Sequence, residues 1–388
     1  MLFSALQSLA LFASGAFAFH DCPMPECSSC LSLSQYDAPG IGIGLTSAYG
    51  TSAVHLQNGT SLDLAKVEAT DDFKDLFVRL SKSPPAPPSD WESFKRWLNK
   101  KLGRPATPEV GILGDFLHKL SLASHSALQA CKGTLNETET DSDTVVVSAP
   151  LFPALTQEDL NDALEYTGLR SWLTLPIPYP QRLSESRAAF GANGFGLCQN
   201  YKDLYDCKDE YEELPWEIVY YVSFTRHALY TNLDRYQAAF DLGSETEHYL
   251  FDSKAGANSL TDYPSSAVFW SYVGSQLEVL PQQRRLFPTK ILLAGENATN
   301  PYFLRVLRDT LGSVRLQDPR QSENSPVDLL ATSSSRMADP VFAAARGAAL
   351  YARWRQEAPF DCVERPECEV ERRREREGNP ISKTRVEL

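Results

Sequence analysis

The sequence predicts an α/β protein, because apolar runs typical of buried strands are followed by segments that carry helix start signals. The run 144–147 leads through a short loop into a capped helix that opens at Thr156 and closes at Gly168. The run 290–295 likewise leads into Asn300-Pro301 and a helix with leucines on one face. With 388 residues, 43% of them hydrophobic and 22% charged, the chain can bury a large core, and we expect two lobes.

The N-terminal segment is typical of a secretory signal peptide. Residues 2–18 are apolar and end in Ala16-Phe17-Ala18, a small-x-small site, so we predict that residues 1–18 are removed before Phe19. An uncleaved membrane anchor is the alternative, which the shortness of the stretch disfavours. No second segment of roughly 20 apolar residues follows, and we expect no membrane span after signal removal. The protein is expected to be secreted or to reside in the ER lumen.

Cysteine usage agrees with an oxidising compartment. All eight cysteines lie beyond the predicted cleavage point, and their even number favours disulfides. Cys27 and Cys30 have the spacing of a redox dithiol, and with Cys22 they suggest zinc, but ordinary disulfides are favoured. Cys198 and Cys207 enclose a short tyrosine-rich loop and are candidates for a local bridge. Otherwise the connectivity stays open among Cys22, Cys27, Cys30, Cys131, Cys198, Cys207, Cys362 and Cys368.

Three sequons and the net charge constrain the partners. Asn58, Asn136 and Asn297 each begin an Asn-x-Thr acceptor in a turn-rich or polar setting, which predicts a glycoprotein. The net charge of −13 excludes a nucleic-acid partner, because phosphates require a basic face. Aromatic residues between positions 201 and 221 could bind a glycan or a peptide, although core packing is their commoner fate. We therefore expect an unknown protein or glycan ligand.

The remaining elements follow in order along the chain. Residues 51–57 and 60–64 read as two strands joined by a type I′ turn at Asn58-Gly59. Thr107-Pro108-Glu109 opens an amphipathic helix, with a cap residue, a proline at the first helical position and an acid in the first turn. Asp339-Pro340 starts another helix, which is rich in alanine.

Motif-like strings occur in order along residues 40–355. They are Gly-Ile-Gly-Leu-Thr-Ser-Ala-Tyr at 42–49, Pro-Glu at 108–109, Val-Val-Val-Ser-Ala-Pro at 145–150, Ala-Ala-Phe-Gly at 188–191, Ile-Leu-Leu-Ala-Gly at 291–295 and Ala-Ala-Ala-Arg-Gly-Ala-Ala at 343–349. Their order and spacing resemble the nucleotide-binding domain shared by actin and the seventy-kilodalton heat-shock chaperones. Taken in the order given, the first string resembles the first phosphate loop of that domain, the second the helix before its next strand, and the third that next strand. The fourth resembles the first connecting helix, the fifth the adenosine strand and the sixth the second connecting helix. The resemblance implies a two-lobed actin-like ATPase (ribonuclease-H-like) fold, here stabilised by disulfides.

The composition of the two ends and this resemblance together divide the chain. The terminal mixed-charge run cannot bury enough apolar area to order itself, so we expect it to remain solvated. The predicted parts are a signal peptide (1–18), a cysteine-rich N-terminal arm (19–39), lobe I (40–178), lobe II (179–334), a helix returning to lobe I (335–360) and a charged, disordered tail (361–388).

The resemblance also implies nucleotide-binding positions, and the first loop has lost part of its chemistry. The family writes this loop as Gly-Ile-Asp-Leu-Gly-Thr-Thr-Tyr, and its Asp orients water and the metal shell. Here Gly44 replaces the Asp and Thr46 replaces the second glycine. No catalytic or metal-binding residue is therefore expected. Retained nucleotide contacts would fall on Gly42, Gly44, Thr46, Ser47, Tyr49 and Gly295.

The second phosphate loop and the adenosine strand depart from the family as well. Phe224 and Arg226 are bulky residues at positions where backbone amides would have to approach a phosphate. The Asp-Leu-Gly-Ser string at 241–244 is a weak substitute. Ala294 replaces one glycine of the adenosine strand, and a glycan on Asn297 would compete with adenine for space.

These losses predict a non-hydrolysing protein that keeps the fold as a binding or structural scaffold, with no cofactor. One alternative is an ATP-binding, chaperone-like protein of the ER lumen that retains ATP and magnesium. Gly44 and Phe224 discriminate between the two, because nucleotide phosphates have no room if both residues project into the cleft between the lobes. The other alternative is a hydrolase with an unrecognised site, which a nucleophile and a histidine within hydrogen-bond reach in a cleft would favour.

Overall fold

The computed structural model describes residues 24–82, 88–131, 143–174, 182–240, 248–317, 337–359 and 362–378. Several predictions lie outside these ranges: the signal peptide, Cys22, the Asn136 sequon and the substitute loop 241–244. The side chain of Cys131 is also outside the description. The predicted α/β class is confirmed, because the described residues form two β-sheets with helices packed against them.

The first sheet contains six strands. They are β1 (Gly40–Leu45), β2 (Tyr49–His55), β3 (Ser61–Glu68), β4 (Thr144–Ala149), β5 (Arg170–Ser171) and β6 (Leu183–Ser184). Their order is β3-β2-β1-β4-β5, and β6 also pairs with β4. Strands β1 to β3 form an antiparallel meander, whereas β4 lies parallel to β1. The hairpin predicted at Asn58-Gly59 is confirmed, but its type I′ turn is wrong, because Gly59 has a φ of +81° whereas Asn58 does not have the positive φ that this turn also requires.

The second sheet repeats this arrangement with four strands. They are β7 (Glu217–Phe224), β8 (Leu229–Tyr236), β9 (Tyr249–Asp252) and β10 (Lys290–Ala294), in the order β10-β7-β8-β9. Strands β7 to β9 form an antiparallel meander, and β10 lies parallel to β7. Each sheet is thus a three-stranded meander whose first strand gains a parallel neighbour.

Eleven α-helices occur within the described ranges. They are α1 (Leu33–Asp37), α2 (Asp71–Leu80), α3 (Asp90–Lys101), α4 (Pro108–Cys131), α5 (Gln157–Tyr166), α6 (Glu185–Ala192), α7 (Leu204–Glu213), α8 (Ser266–Arg284), α9 (Pro301–Gln317), α10 (Ala343–Glu357) and α11 (Pro366–Gly378). Short 3-10 helices lie at Trp172–Thr174, Ser253–Ala255 and Ala257–Asp262.

The predicted helix starts are found, with one shift. Helix α4 begins at Pro108, and α5 begins after a capping box between Thr156 and Asp159. Helix α10 begins three residues later than Pro340, because residues 340–342 form a turn that Asp339 organises. The Asp339 carboxylate accepts a 2.9 Å hydrogen bond from the backbone of Val341.

The C-terminal region corrects the predicted disordered tail, because residues 366–378 form helix α11. Two disulfides, Cys27–Cys362 and Cys30–Cys368, join the N-terminal arm to this region across more than 330 residues. They also show that Cys27 and Cys30 form neither a redox dithiol with each other nor a zinc site. Non-local bonds of this kind order a charged segment that has little apolar area of its own. The local bridge suggested by sequence, Cys198–Cys207, is confirmed.

The core has two large hydrophobic clusters that meet at β7. Alternate residues of a strand point to opposite faces, so Tyr221 joins a cluster that extends across both sheets, while Phe224 joins a second one behind β7 and β10. Phe224 stacks on Phe303 of α9, with ring centroids 4.3 Å apart. The first cluster therefore fills the junction at which the two sheets face each other.

Candidate functional site

The turn between β1 and β2 is the position that the sequence singles out as a phosphate loop. The Thr46 hydroxyl accepts hydrogen bonds from the backbone of Ala48 (3.1 Å) and Tyr49 (3.0 Å). It donates to the carbonyl of Tyr49 (2.8 Å), and the whole turn is buried. The side chain that replaces a family glycine therefore occupies two amides that could otherwise bind an anion.

The turn between β7 and β8 has the same construction. The Thr225 hydroxyl accepts from the backbone of Ala228 (3.0 Å) and donates to the carbonyl of Ala228 (2.9 Å). In both turns the threonine amide also donates to that same carbonyl, at 2.9 Å for Thr46 and 3.0 Å for Thr225. Sequence reasoning missed this pair, although a signal was present, because Leu45-Thr46 and Phe224-Thr225 end the first strand of each sheet in the same way.

The glycines of β1 serve helix packing. Gly40, Gly42 and Gly44 lie on one face of the strand, and that face touches α10. A Cβ atom on Gly42 would lie 2.0 Å from the backbone nitrogen of Ala349, and one on Gly40 would lie 2.4 Å from that of Arg353. Such distances are far below van der Waals contact, so only glycine allows α10 to approach. The strand and helix meet backbone to backbone at Gly42, where the sequence suggests a phosphate.

The adenosine-strand glycine, Gly295, has a comparable role. It adopts a φ of +94°, and a Cβ atom there would lie 2.4 Å from the carbonyl oxygen of Phe224. The backbone of Asn297 donates a 3.1 Å hydrogen bond to that same carbonyl. Gly295 therefore closes the loop after β10 against the end of β7.

Phe224 and Arg226 lie in different environments from those expected. Phe224 points into the core behind its sheet, so it does not project into the space between the lobes. Arg226, at the tip of the turn, donates its backbone amide to the Glu296 carboxylate at 2.9 Å. Its guanidinium lies 3.6 Å from Glu296 and 3.9 Å from Glu68 at the end of β3. Arg226 thus connects the two sheets.

A buried polar cluster occupies the junction between the sheets. We call Tyr49, Glu185, Tyr221 and Tyr230 the junction cluster; all are at most 5% exposed. Burial raises the pKa of Glu185 well above its ordinary range, and Arg182 opposes this shift only in part. Burial, followed by the charge of Glu185, raises the pKa of Tyr221 and Tyr230. Burial also raises the pKa of Tyr49, to which Glu296 and Glu185 add.

Hydrogen bonding within the junction cluster is incomplete. The Tyr230 hydroxyl accepts a 3.1 Å hydrogen bond from the backbone of Leu151, which links the two sheets. Among the described residues, the Tyr49 hydroxyl and the Glu185 Oε1 atom have no hydrogen-bond partner. Side chains buried in this way are suited to packing, because none of them is exposed to a solvated substrate. Sequence reasoning did not identify Glu185, whose burial depends on tertiary contacts alone.

Aromatic rings complete the filling of the junction. Phe152, which follows β4, contacts Phe77 of α2 on one side, at a centroid distance of 5.7 Å. On the other side it packs edge-on against Tyr230 at 5.9 Å and Phe251 at 5.3 Å. A large apolar side chain from the first sheet therefore lies among the rings of the second. Among the described residues, these rings pack across the junction.

The two predicted connecting helices, α6 and α10, cross next to this cluster. A Cβ atom on Gly347 of α10 would lie 1.8 Å from the carbonyl oxygen of Ala188 in α6. The Ser186 hydroxyl of α6 lies 2.7 Å from the Tyr236 hydroxyl, which donates to Asn232 at 2.9 Å. The helices are thus in backbone contact and tied to β8 by a buried hydroxyl chain.

The sequons differ in accessibility. Asn58 is exposed in the hairpin turn, and its side chain accepts a hydrogen bond from the backbone of Thr60 at 2.9 Å. The Asn297 Nδ2 atom, by contrast, is buried without a hydrogen-bond partner among the described residues. A glycan attached to that atom does not fit the loop as it is folded. Asn58 is the better placed of the two acceptors.

One histidine lies within reach of a hydroxyl nucleophile. His55 Nδ1 and Ser61 Oγ are 2.9 Å apart across the β2–β3 ladder. Burial lowers the pKa of His55, as it does for His227. The pair lies on a hairpin at the sheet edge and lines no described cavity. Cross-strand pairing alone brings these two residues together.

The aromatic residues suggested as a ligand surface are divided between core and surface, and Tyr205 and Trp216 are exposed. Tyr220 and Tyr221 are core residues, and Tyr201 stacks on Trp354 with centroids 4.7 Å apart. A surface cavity of about 470 Å³ lies elsewhere, between α3 and α5, and is lined by side chains of both charges.

Within the described ranges, one cluster has metal-ligand spacing: Cys30, Glu364 and Cys368. Its two cysteines form a disulfide, so their sulfur atoms are not thiolates. No helix in the described part of the chain is long and apolar enough to cross a membrane.

Comparisons with known proteins found no relative that supports the resemblance to the actin-like class. No protein-family model matches the chain, and no curated protein matches it.

Proposed function

We propose that this chain is a secretory-pathway glycoprotein with a degenerate actin-like ATPase fold, which does not hydrolyse ATP and acts as a binding or structural protein. The observation that carries the proposal is the matched pair of turns at Thr46 and Thr225. In each, a threonine hydroxyl occupies backbone donors at the position where a phosphate loop is expected. A substitution of the same kind in both sheets closes both halves of a phosphate site.

The repeated topology supports the actin-like part of the proposal. Two lobes of related structure are what that fold requires, and both sheets contain a meander with one parallel neighbour on its first strand, to which the first sheet adds β5 and β6. The crossing of α6 and α10 between the sheets agrees with two connecting helices. Neither observation depends on the identity of the residues in the loops.

Phe224 points away from the space between the sheets and does not exclude a nucleotide there, but other features argue against the chaperone-like alternative. Magnesium and nucleotide need accessible oxygen ligands and free amides. Gly44 provides no carboxylate, and the turn that follows it is buried. Glu185 is the buried carboxyl of the junction cluster, and burial raises its pKa, which favours its neutral form. A neutral, buried carboxyl does not orient a metal shell.

The hydrolase alternative rests on His55 and Ser61, and the structure supports it less than it supports the non-hydrolysing scaffold. A serine nucleophile needs a histidine that a third group orients and a pocket that holds the acyl group. Among the described residues no carboxylate hydrogen-bonds to His55, and the pair lies on a hairpin. An activity-based fluorophosphonate probe checks this directly, because labelling of Ser61 would establish a reactive serine.

Secretion and ER residence both fit the disulfides, which persist in oxidising compartments. The ligand that we propose is a protein or a glycan, because backbone amides at both expected phosphate turns already bind threonine hydroxyls. Such a ligand would bind the outer surface of the protein and not a site between the sheets.

Calorimetric titration of the deglycosylated chain with ATP, with and without magnesium, tests the proposal. We expect no heat of binding in either titration and no release of phosphate over hours. Micromolar, magnesium-dependent binding would overturn the pseudo-ATPase reading and favour the chaperone-like one. Equal binding with and without magnesium would indicate a nucleotide site without metal chemistry, which the proposal also excludes.

A further inference from the structure

Helix α3 presents an apolar face to solvent. None of its residues is buried, and three aromatic side chains on it are 46% to 60% exposed. The centroids of Trp91 and Phe94 are 5.6 Å apart, and those of Phe94 and Trp97 are 5.8 Å apart, in stacked arrangements. We call this surface the α3 ridge; its members are Trp91, Phe94, Trp97, Leu98 and Leu102.

The opposite face of α3 binds the protein through charges. Arg96 lies 2.9 Å from Asp159 and 2.6 Å from Asp162 of α5. Lys100 lies 2.5 Å from Asp162 and 2.8 Å from Glu165. An ordinary surface helix turns its apolar stripe inward and its charges outward. The orientation of α3 is reversed, so its apolar residues do not contribute to the core.

Residues at both ends of α3 favour its helical conformation despite this orientation. A capping box between Ser89 and Glu92 fixes its start, and Lys100 and Lys101 lie in the last turn, where cations favour the helix dipole. The α3 ridge is therefore a preformed surface on an ordered helix. Its exposure does not result from a weakly formed segment.

Cations border the α3 ridge. Lys95, Lys101 and Arg104 are exposed, and within the described chain none of them forms an ion pair. Lys95 lies 5.3 Å from the ring centroid of Trp91. The chain as a whole carries a net charge of −13, so these free cations run against the overall balance. Positive charge next to exposed tryptophan complements a surface of anionic phosphates.

We infer that α3 binds the interface of a phospholipid bilayer. The helix lies in the membrane plane, with the α3 ridge among the headgroups and upper acyl chains and the bordering cations at the phosphates. Tryptophan and phenylalanine with flanking lysines are typical of interfacial helices. Leu98 and Leu102 favour lipid over a glycan, because aliphatic side chains offer no flat face for a sugar ring. This binding needs no membrane-spanning helix and does not depend on the proposed function.

Vesicle flotation of the chain without the predicted signal peptide, residues 1–18, tests this inference. The vesicles are phosphatidylcholine alone and an equal mixture of phosphatidylcholine and phosphatidylserine. We expect the chain to float with the mixed vesicles, and its tryptophan emission to shift to shorter wavelength. The Trp91→Ser/Phe94→Ser/Trp97→Ser variant should lose roughly tenfold in affinity for each aromatic removed. Because α3 has no buried residue, we expect its melting temperature to stay at the parent value.

Two further variants test whether binding depends on the position of the exposed tryptophans and on the positive charge beside them. Trp216 is 64% exposed and distant in sequence from α3, so Trp216→Ser should float like the parent. Lys95→Glu/Lys101→Glu should weaken binding to the mixed vesicles and leave binding to pure phosphatidylcholine unchanged. The inference would be overturned if the parent floated with neither kind of vesicle, or if the triple variant floated as well as the parent. A concentration-dependent dimer that the triple variant abolishes, without vesicle binding, would assign the α3 ridge to a second copy of the chain and also overturn it.

Discussion

The backbone nitrogen of Ala349 in α10 lies where a side chain on Gly42 would have to be, 2.0 Å from the position of its Cβ atom. This contact changes the meaning of the glycine motif in β1. The family that the motif resembles uses glycine to admit a phosphate. Here the space is taken by a helix, so the motif maintains the fold.

Gly42→Ala should therefore act on stability and not on ligand binding. The added methyl group meets helix backbone, which cannot move like the end of a flexible side chain, and we expect a loss of about 3 kcal/mol or more. Urea unfolding measures the change. Gly312→Ala is the matched control, because nothing lies within 4 Å of that Cβ position in α9, and it should gain up to about 1 kcal/mol. Equal stability of the two variants would contradict the packing role of Gly42.

Thr46→Val and Thr225→Val should destabilise the protein to similar extents. Valine keeps the shape of threonine but leaves buried backbone amides without an acceptor, which costs about 1–3 kcal/mol at each turn. Thr261→Val is the control, since its exposed hydroxyl makes one long contact of 3.4 Å with Asn258. Thermal unfolding compares the three variants. If both turn variants match the control, the hydroxyls do not hold the turns.

Glu185→Gln should stabilise the protein at neutral pH. The pKa of Glu185 is raised in the folded state, so the favourable contribution of its neutral form is present below the ordinary pKa of 4.5 and is lost as pH rises through the folded pKa. The variant should exceed the parent by about 1–2 kcal/mol in unfolding free energy near pH 8 and match it near pH 4.5. Glu213→Gln, at an exposed position, should track the parent at both pH values. A gain that does not depend on pH would exclude titration of Glu185 as its cause.

Loss of the Cys30–Cys368 bridge should release α11. This helix carries many charges, and besides that disulfide it is held by the 2.8 Å ion pair between Arg372 and Glu364 and by an ion pair between Arg376 and Asp37 of α1. In a Cys30→Ser/Cys368→Ser variant we expect faster trypsin cleavage after Arg373 and a loss of about 2–4 kcal/mol in stability. A variant lacking the Cys198–Cys207 bridge should leave this cleavage rate unchanged. Equal rates in both variants would show that other contacts fix α11.

Local signals in the sequence predicted part of the regular structure, and helices α2, α3, α7 and α8 were not predicted. The Thr156 cap, the proline at 108 and the Asn58-Gly59 turn act within a few residues, and each element appears where its signal lies. Helix α11 was missed because its order depends on cysteines more than 330 residues apart. The disulfide that holds it cannot be inferred from local composition.

The candidate site was less accessible to prediction. The alternation of Gly40, Gly42 and Gly44 is visible in the sequence, but a period of two does not reveal whether a helix or a phosphate faces the strand. Phe224 was placed wrongly because strand periodicity alone does not distinguish the two faces of β7. Glu185 gave no signal, since its environment is assembled from both sheets.

The most direct test of a closed junction is amide hydrogen exchange in the turns after β1 and β7, measured with and without ATP and magnesium. Because Thr46 and Thr225 bind these amides within a buried core, we predict slow exchange in both turns and no change with nucleotide. Fast exchange that nucleotide slows would show free amides at a phosphate site, and it would contradict the account.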